Sequence, residues 1–186
     1  MDNILITCVG SYLPKKIILN DNLPSELNTS DEWIKKRTGI TQRHIVSENE
    51  LTSTMAIEAT KKALTNANLN SKEIDLVVLA TTTPDNTFPA TAVKVQSELN
   101  MKTGPAFDIQ AVCAGFIYAL KVASSILQTS NLNKAIVIGS ESFSKILDWD
   151  DRSTSVLFGD GAGAVILEKH KDYNNWGLLS SNFYSD

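Results

Sequence analysis

Cysteine and histidine are scarce in this chain of 186 residues, with two of each: Cys8 and Cys113, His44 and His170. Without a CxxC pair, neither a disulfide framework nor a thiolate zinc site is expected, and the thiols suit a reducing, cytoplasmic compartment. Two histidines so far apart in sequence suggest no metal centre. Basic charge is also short. Seventeen Lys and Arg stand against 21 Asp and Glu, a net charge of −4 with pI near 5.2. That balance argues against nucleic acid as a partner, because phosphate contacts need a clustered basic surface. The longest uncharged apolar stretch, Ile109 to Leu120, falls below the ~20 residues of a membrane span. Met1-Asp2-Asn3 carries an acid where a secretory signal places cations. Repeats, charge blocks and low-complexity linkers are absent too. What remains is an ordinary globular balance, 42% hydrophobic and 20% charged, with apolar mass for a real core.

The periodicity is that of an α/β chain. Ile4 to Gly10 reads as a strand ending in a turn before Pro14. Thr29 to Arg37 starts with hydroxyls and acids and ends with bases, opposing the helix dipole, and Gly39 sits where a C-cap belongs. Leu51, Met55, Ala59, Ala63 and Ala67 recur every four residues, one apolar helix face, and Ser47-x-x-Glu50 resembles a capping box before it. Ile74 to Ala80 and Ala135 to Gly139 are continuous apolar runs of strand length, the mark of burial on both faces. Helices are expected over Pro89 to Leu99 and Val112 to Gln128, a short strand over Ala106 to Ile109, and strands around a glycine-rich turn from Val156 to Glu168. This alternation predicts a largely parallel sheet.

The chemically informative segment surrounds Cys113. The preceding strand ends near Ile109, so Cys113 falls in the first turn of the next helix, where unpaired N–H groups and the dipole stabilise a thiolate. Ala111, Ala114 and Gly115 leave the sulfur approachable, as a nucleophile on a strand-to-helix corner requires. The plain alternative is a packed core cysteine, since free Cys is among the most buried residue types. From Val112 to Gln128 the only charged side chain is Lys121. A helix with no polar face is expected to be enclosed by other elements, and a single sheet covers only one side.

Five segments stand out together: Ser30-Asp31-Glu32-Trp33-Ile34 with Arg37-Thr38-Gly39-Ile40 and Arg43; Ala80-Thr81-Thr82-Thr83-Pro84-Asp85; Phe88-Pro89; Ala111-Val112-Cys113-Ala114-Gly115-Phe116; and Phe158-Gly159-Asp160-Gly161-Ala162-Gly163-Ala164. In combination they resemble the thiolase-like condensing enzymes, most nearly the β-ketoacyl-acyl-carrier-protein synthase III family. They follow the family order along the whole chain.

The resemblance implies a thiolase-like fold, here one half of a layered α-β-α-β-α sandwich with a mostly parallel mixed sheet. Residues 1–175 would form the amino-terminal half, and 176–186 the start of a carboxy-terminal half that is missing. It implies a decarboxylative Claisen condensation that begins type II fatty-acid synthesis. A cysteine, here Cys113, takes an acyl group from a short acyl-CoA, and the carbanion of malonyl-acyl carrier protein attacks it. The family's His and Asn and an oxyanion-hole loop belong to its second half and have no counterpart here, so the isolated chain is expected to be incapable of full turnover. No cofactor is implied, since acyl-CoA is a substrate. The full-length protein would be a homodimer, and a catalytically incomplete binding or dimerisation module is the alternative.

The same resemblance gives Trp33 and Arg152 a place stacked on the CoA adenine and Arg37 one at its phosphates, with Thr29 near the same ligand. Indole and guanidinium planes suit a purine, and a guanidinium fork suits phosphate. The alternatives are a half-exposed Trp covered by an Arg stem, and Thr29 as a plain N-cap. Phe88 corresponds to the Phe that crosses the family's dimer to line the partner's acyl pocket, against a loop aromatic tucked under its own subunit. His44 reads as a loop or salt-bridged histidine rather than a base, and His170 as a surface residue. The glycines at 159, 161 and 163 read as a tight turn rather than a dinucleotide loop, because Val165-Ile166-Leu167 has strand character.

Overall fold

The computed structural model describes residues 3–171 and 176–184. Seven strands and five α-helices follow one another in the order β1 (Asn3–Tyr12), β2 (Lys16–Leu19), α1 (Asp31–Thr38), β3 (Gln42–Ile45), α2 (Thr52–Ala67), β4 (Leu76–Ala80), α3 (Thr91–Glu98), β5 (Ala106–Ile109), α4 (Gly115–Thr129), β6 (Lys134–Ser142), α5 (Arg152–Ser155) and β7 (Asp160–His170). Five strands form one sheet in the order β1-β7-β6-β4-β5, while β2 and β3 pair as a separate antiparallel ribbon. β4 pairs parallel with β5 and β6, and β7 pairs antiparallel with both β6 and β1. Four strands therefore share one direction and only β7 opposes them, the mostly parallel mixed sheet expected.

The central strands are buried on both faces because helices cover both. Val77, Leu79, Ile136, Ile138 and Ile166 face α2 and α3, packing on Met55, Ala59, Ala63 and Val95. Leu76, Val78, Ala135, Val137 and Leu167 face α4 through Ala119, Ala123 and Leu127. α2 lies close on the sheet at Gly10, where a Cβ would stand 2.2 Å from the Ala59 carbonyl oxygen and 2.3 Å from the Ala63 nitrogen. Gly10 is thus a packing position inside β1, and the strand expected to end there runs on to Tyr12.

α1 forms as its charges and caps dictate. Ser30 caps it by accepting from the Trp33 N–H at 3.1 Å, and Gly39 closes it at φ 75°, a conformation that other residues adopt only at a cost. The cap is therefore Ser30 rather than Thr29. Ser47 and Glu50 do not form the capping box of α2. The Glu50 carboxylate accepts from the Ser47 N–H at 3.1 Å within a turn that precedes the helix. α2 instead starts after Leu51, whose N–H donates to the Thr54 hydroxyl, while Asp85 accepts from the Ser53 N–H at 3.0 Å. Pro89 precedes α3 rather than sitting in its first turn, and Asp108 caps that helix by accepting from Thr91 and Ala92.

The glycine-rich segment is not a turn. Gly161 and Gly163 lie within β7, opposite Glu141 and Gly139 of β6, and Gly163 also pairs with Ser11 of β1. Asp160 explains the motif better. Its buried carboxylate accepts from the Val46 N–H at 2.7 Å and from the Ser144 N–H at 2.8 Å, tying β3 and the end of β6 to the start of β7.

By length and composition Val112–Thr129 is apolar enough to cross a membrane, longer than the run to Leu120 because Lys121 is its single charge. It is packed against the sheet through Ala119, Ala123 and Leu127, which accounts for one apolar face. The outer face keeps Val112 and Ile117 exposed, and Phe183 of the chain's last described stretch lies 5.0 Å from the Tyr118 ring. Enclosure of α4 on all sides is therefore not seen among the described residues. The expected boundary at residue 175 falls at residues 172–175, outside those described. Beyond it, Leu178 donates to Ile4 of the edge strand β1 at 2.8 Å.

Candidate active site

The C-terminal ends of the parallel strands β4, β5 and β6 converge on one corner of the sheet, where clefts of open α/β sheets form. β5 ends at Ile109, and a single turn of 3-10 helix, Val112–Ala114, leads into α4. Cys113 sits in that turn, exposed, at the start of a helix of 15 residues. Val112 before it adopts φ 46°. A β-branched residue there costs about 1–3 kcal/mol, a strain typical of functional corners. The expectation of an approachable thiol on a strand-to-helix corner holds, and the packed-core alternative does not.

Cys113 opens on a cleft of about 360 Å³ whose walls include Leu13, Ala80, Phe116, Glu141 and Gly163. Gly163 keeps this space open, since a Cβ there would meet nothing within 4 Å. Glu141 is the residue that sequence reasoning missed. Its carboxylate accepts from the Thr82 N–H at 2.6 Å, the Thr83 hydroxyl at 2.5 Å and the Thr81 hydroxyl at 3.4 Å. The Thr81 N–H in turn donates to the Ile109 carbonyl at 3.1 Å, at the root of the Cys113 loop. Thr83 is fixed from its other side by Ser142 N–H and Thr52. Three consecutive threonines after a buried strand were the available signal, because so many hydroxyls at a sheet end need a common acceptor.

A second cluster forms around Trp33. The Arg37 guanidinium lies 4.1 Å from the Trp33 ring centroid and that of Arg152 5.1 Å. Arg152 also donates to the Asn28 carbonyl at 3.1 Å, beside Thr29, whose hydroxyl oxygen is buried without a hydrogen-bond partner. The fold thus brings together Thr29, Trp33, Arg37 and Arg152, residues up to 123 positions apart in sequence. α1 carries Trp33 and Arg37 and α5 starts at Arg152, so two cations from separate helices meet on one indole plane. Phe88 stands apart at 82% exposure in the loop before α3, which removes the reading of it as tucked under its own chain.

Neither histidine belongs to the Cys113 cleft lining. His44 Nδ1 bonds the Pro14 carbonyl at 2.5 Å in the β2–β3 region, and His170 ends β7 opposite Asn3. Among the described residues no three His, Cys, Asp or Glu side chains gather as a metal site would need.

Comparison with known proteins agrees with this architecture. A family model for 3-oxoacyl-[acyl-carrier-protein] synthase III matches residues 107–186. A solved synthase III from Aquifex aeolicus superposes with a TM-score of 0.85 at 48% identity, over 92% of this chain and 55% of that one. That from Thermus thermophilus gives 0.86 at 40% identity, over 93% and 53%. The fold is that of a thiolase-like condensing enzyme. β-Ketoacyl-[acyl-carrier-protein] synthase III of Ehrlichia canis is 54% identical over the whole chain and 58% of its own length. That of Bradyrhizobium diazoefficiens is 57% identical over 99% and 57%. The chain is similar in sequence and fold to the β-ketoacyl-[acyl-carrier-protein] synthase III enzymes, and it spans a little over half the length of the curated relatives it matches.

Proposed function

We propose that this chain provides the acyl-accepting part of a β-ketoacyl-acyl-carrier-protein synthase III, the condensing enzyme that begins type II fatty-acid synthesis. Cys113 is the nucleophile. Its thiolate attacks the carbonyl of a short acyl-CoA, the acyl–sulfur bond to CoA breaks, and CoA leaves as a thiol after taking up the proton that the cysteine released to solvent. Malonyl-acyl carrier protein then loses carbon dioxide. The resulting carbanion attacks the acyl-cysteine, a carbon–carbon bond forms, and the Cys113 thiolate departs. Among the described residues the Cys113 cleft lining holds neither a His nor an Asn, so the first stage is the one these residues would carry. Thiols at helix starts suit that stage because the dipole's positive end faces the developing thiolate.

In this reading Trp33 and Arg152 stack on the CoA adenine, Arg37 meets its phosphates and Thr29 borders the same ligand. Phe88, projecting from its loop, would reach a partner subunit's acyl pocket in a homodimer. Residues 1–175 would form the amino-terminal half and residues 176–186 would begin the second. The observation that carries the proposal is the exposed Cys113 on a strained strand-to-helix corner at the open end of the sheet.

Intact-mass analysis after incubation with acetyl-CoA tests it. Wild type should gain one acetyl group and Cys113→Ala none. An unmodified wild type would favour a second reading, a binding or dimerisation module, which the exposed outer face of α4 supports.

A further inference from the structure

Beneath the Trp33 cluster lies a buried polar junction that the proposed chemistry does not use. Asn20 and Arg43 are 3% and 4% exposed. The Arg43 guanidinium donates through Nη2 to the Asn20 side-chain oxygen at 2.9 Å and to the Val156 carbonyl at 3.1 Å. Its charge therefore meets an amide and a carbonyl rather than a carboxylate. The Asn20 amide nitrogen donates to Asp31 Oδ1 at 2.9 Å and to the Ile40 carbonyl at 2.7 Å.

These four bonds have a specific geometry. Asp31 is the first residue of α1 and Ile40 follows its C-cap Gly39, so Asn20 grips both ends of the helix that carries Trp33 and Arg37. Val156 is the C-cap of α5, the helix that Arg152 starts. One amide and one guanidinium thus couple the two elements that meet on the Trp33 ring. A buried amide satisfied at both ends allows one arrangement, whereas surface side chains held by solvent allow many. Binding of a planar, polyanionic nucleotide gains when its contact groups are ordered beforehand, because the ordering cost is then not charged to association.

We infer that Asn20 and Arg43 are positioning residues that hold Trp33, Arg37 and Arg152 in register for the nucleotide end of an acyl-CoA. The inference rests on the reading of that cluster as the CoA site. It separates nucleotide recognition from the sulfur chemistry, since neither Asn20 nor Arg43 lines the Cys113 cleft.

Two variants test it, with coenzyme A as the calorimetric probe and the rate of Cys113 alkylation by iodoacetamide as the second readout. Asn20→Ala removes both grips on α1 and one of the two acceptors of Arg43. Asp31→Ala, at a half-exposed position, removes one of the two grips together with the surface ion pair to Lys35. The Kd for coenzyme A should rise about tenfold in Asn20→Ala and about threefold in Asp31→Ala, while the alkylation rate stays within about twofold of wild type. A merely structural role would move both readouts together, or neither. Unchanged affinity in both variants, or alkylation falling in step with affinity, would overturn the positioning role. Failure of wild type to bind coenzyme A would instead overturn the nucleotide reading, and the positioning role with it. If Asn20→Ala does not fold, Asp31→Ala decides alone.

Discussion

Glu141 gives the sharpest test of how the cysteine corner is held. Replacing it with Ala leaves the Thr82 N–H and the Thr83 hydroxyl, now bonded at 2.6 and 2.5 Å, without their acceptor. Hydrogen bonds to a charged group contribute about 1.5–3 kcal/mol each, and a donor stranded in the interior costs its desolvation. The 3.4 Å contact to Thr81 is too long to add much. Glu141 is half-buried, so water recovers part of the loss, and about 2–3 kcal/mol of destabilisation is expected. With a urea slope of about 2–3 kcal/mol per molar, the unfolding midpoint should drop by about 1 M. Glu141→Gln keeps one acceptor oxygen and should lose about half as much. The freed Thr81–Thr83 loop also loosens the Ile109 carbonyl at the root of the Cys113 turn, so alkylation of Cys113 should change in the same order across the two variants. A Glu141→Ala midpoint equal to wild type would refute the reasoning, because it would mean that water replaces these bonds without cost.

Gly10→Ala should fail where Gly163→Ala succeeds. A Cβ at Gly10 would lie 2.2 Å from a carbonyl oxygen of α2, and displacing that helix costs about 1–3 kcal/mol or more, whereas a Cβ at Gly163 meets nothing; equal urea midpoints would contradict the packing described. Acid should weaken the fold through Asp85. Burial pushes its carboxyl up, but hydrogen bonds from Ser53 and Lys94 outweigh that and hold it below the usual carboxylate range. Stability from a depressed carboxyl is complete above its unfolded value near ~4 and is lost as pH falls through the folded value. The urea midpoint of wild type should therefore decline below about pH 4, and Asp85→Asn should flatten part of that decline.

Local physics made much of this molecule legible. The apolar runs at 76–80 and 135–138 became the doubly buried strands of the sheet, because a strand covered by helices on both faces has no polar side to show. Ser30 and Gly39 bracket α1 through neighbours three and four residues away, within reach of sequence reading. The glycines of β7 misled, because a glycine-rich run looks the same whether the chain turns or lies flat between two strands. Only pairing with β1 and β6 distinguishes the two. The Ser47–Glu50 pair misled for a related reason: the same reciprocal pattern closes a turn as readily as it starts a helix.

The sequence alone determined the longer helices and the buried strands, that a cysteine stands where a strand gives way to a helix, and which family the chain resembles. Tertiary structure decided what each buried polar group is for. Asp160 reaches Val46 across 114 residues, Glu141 gathers three threonines some 60 residues away, and Arg43 finds Asn20 and Val156. Helix caps and strand periodicity are set by near neighbours, so spacing reveals them. A carboxylate or guanidinium withdrawn from water needs partners that only the folded chain brings within about 3 Å, and no spacing along the sequence names them.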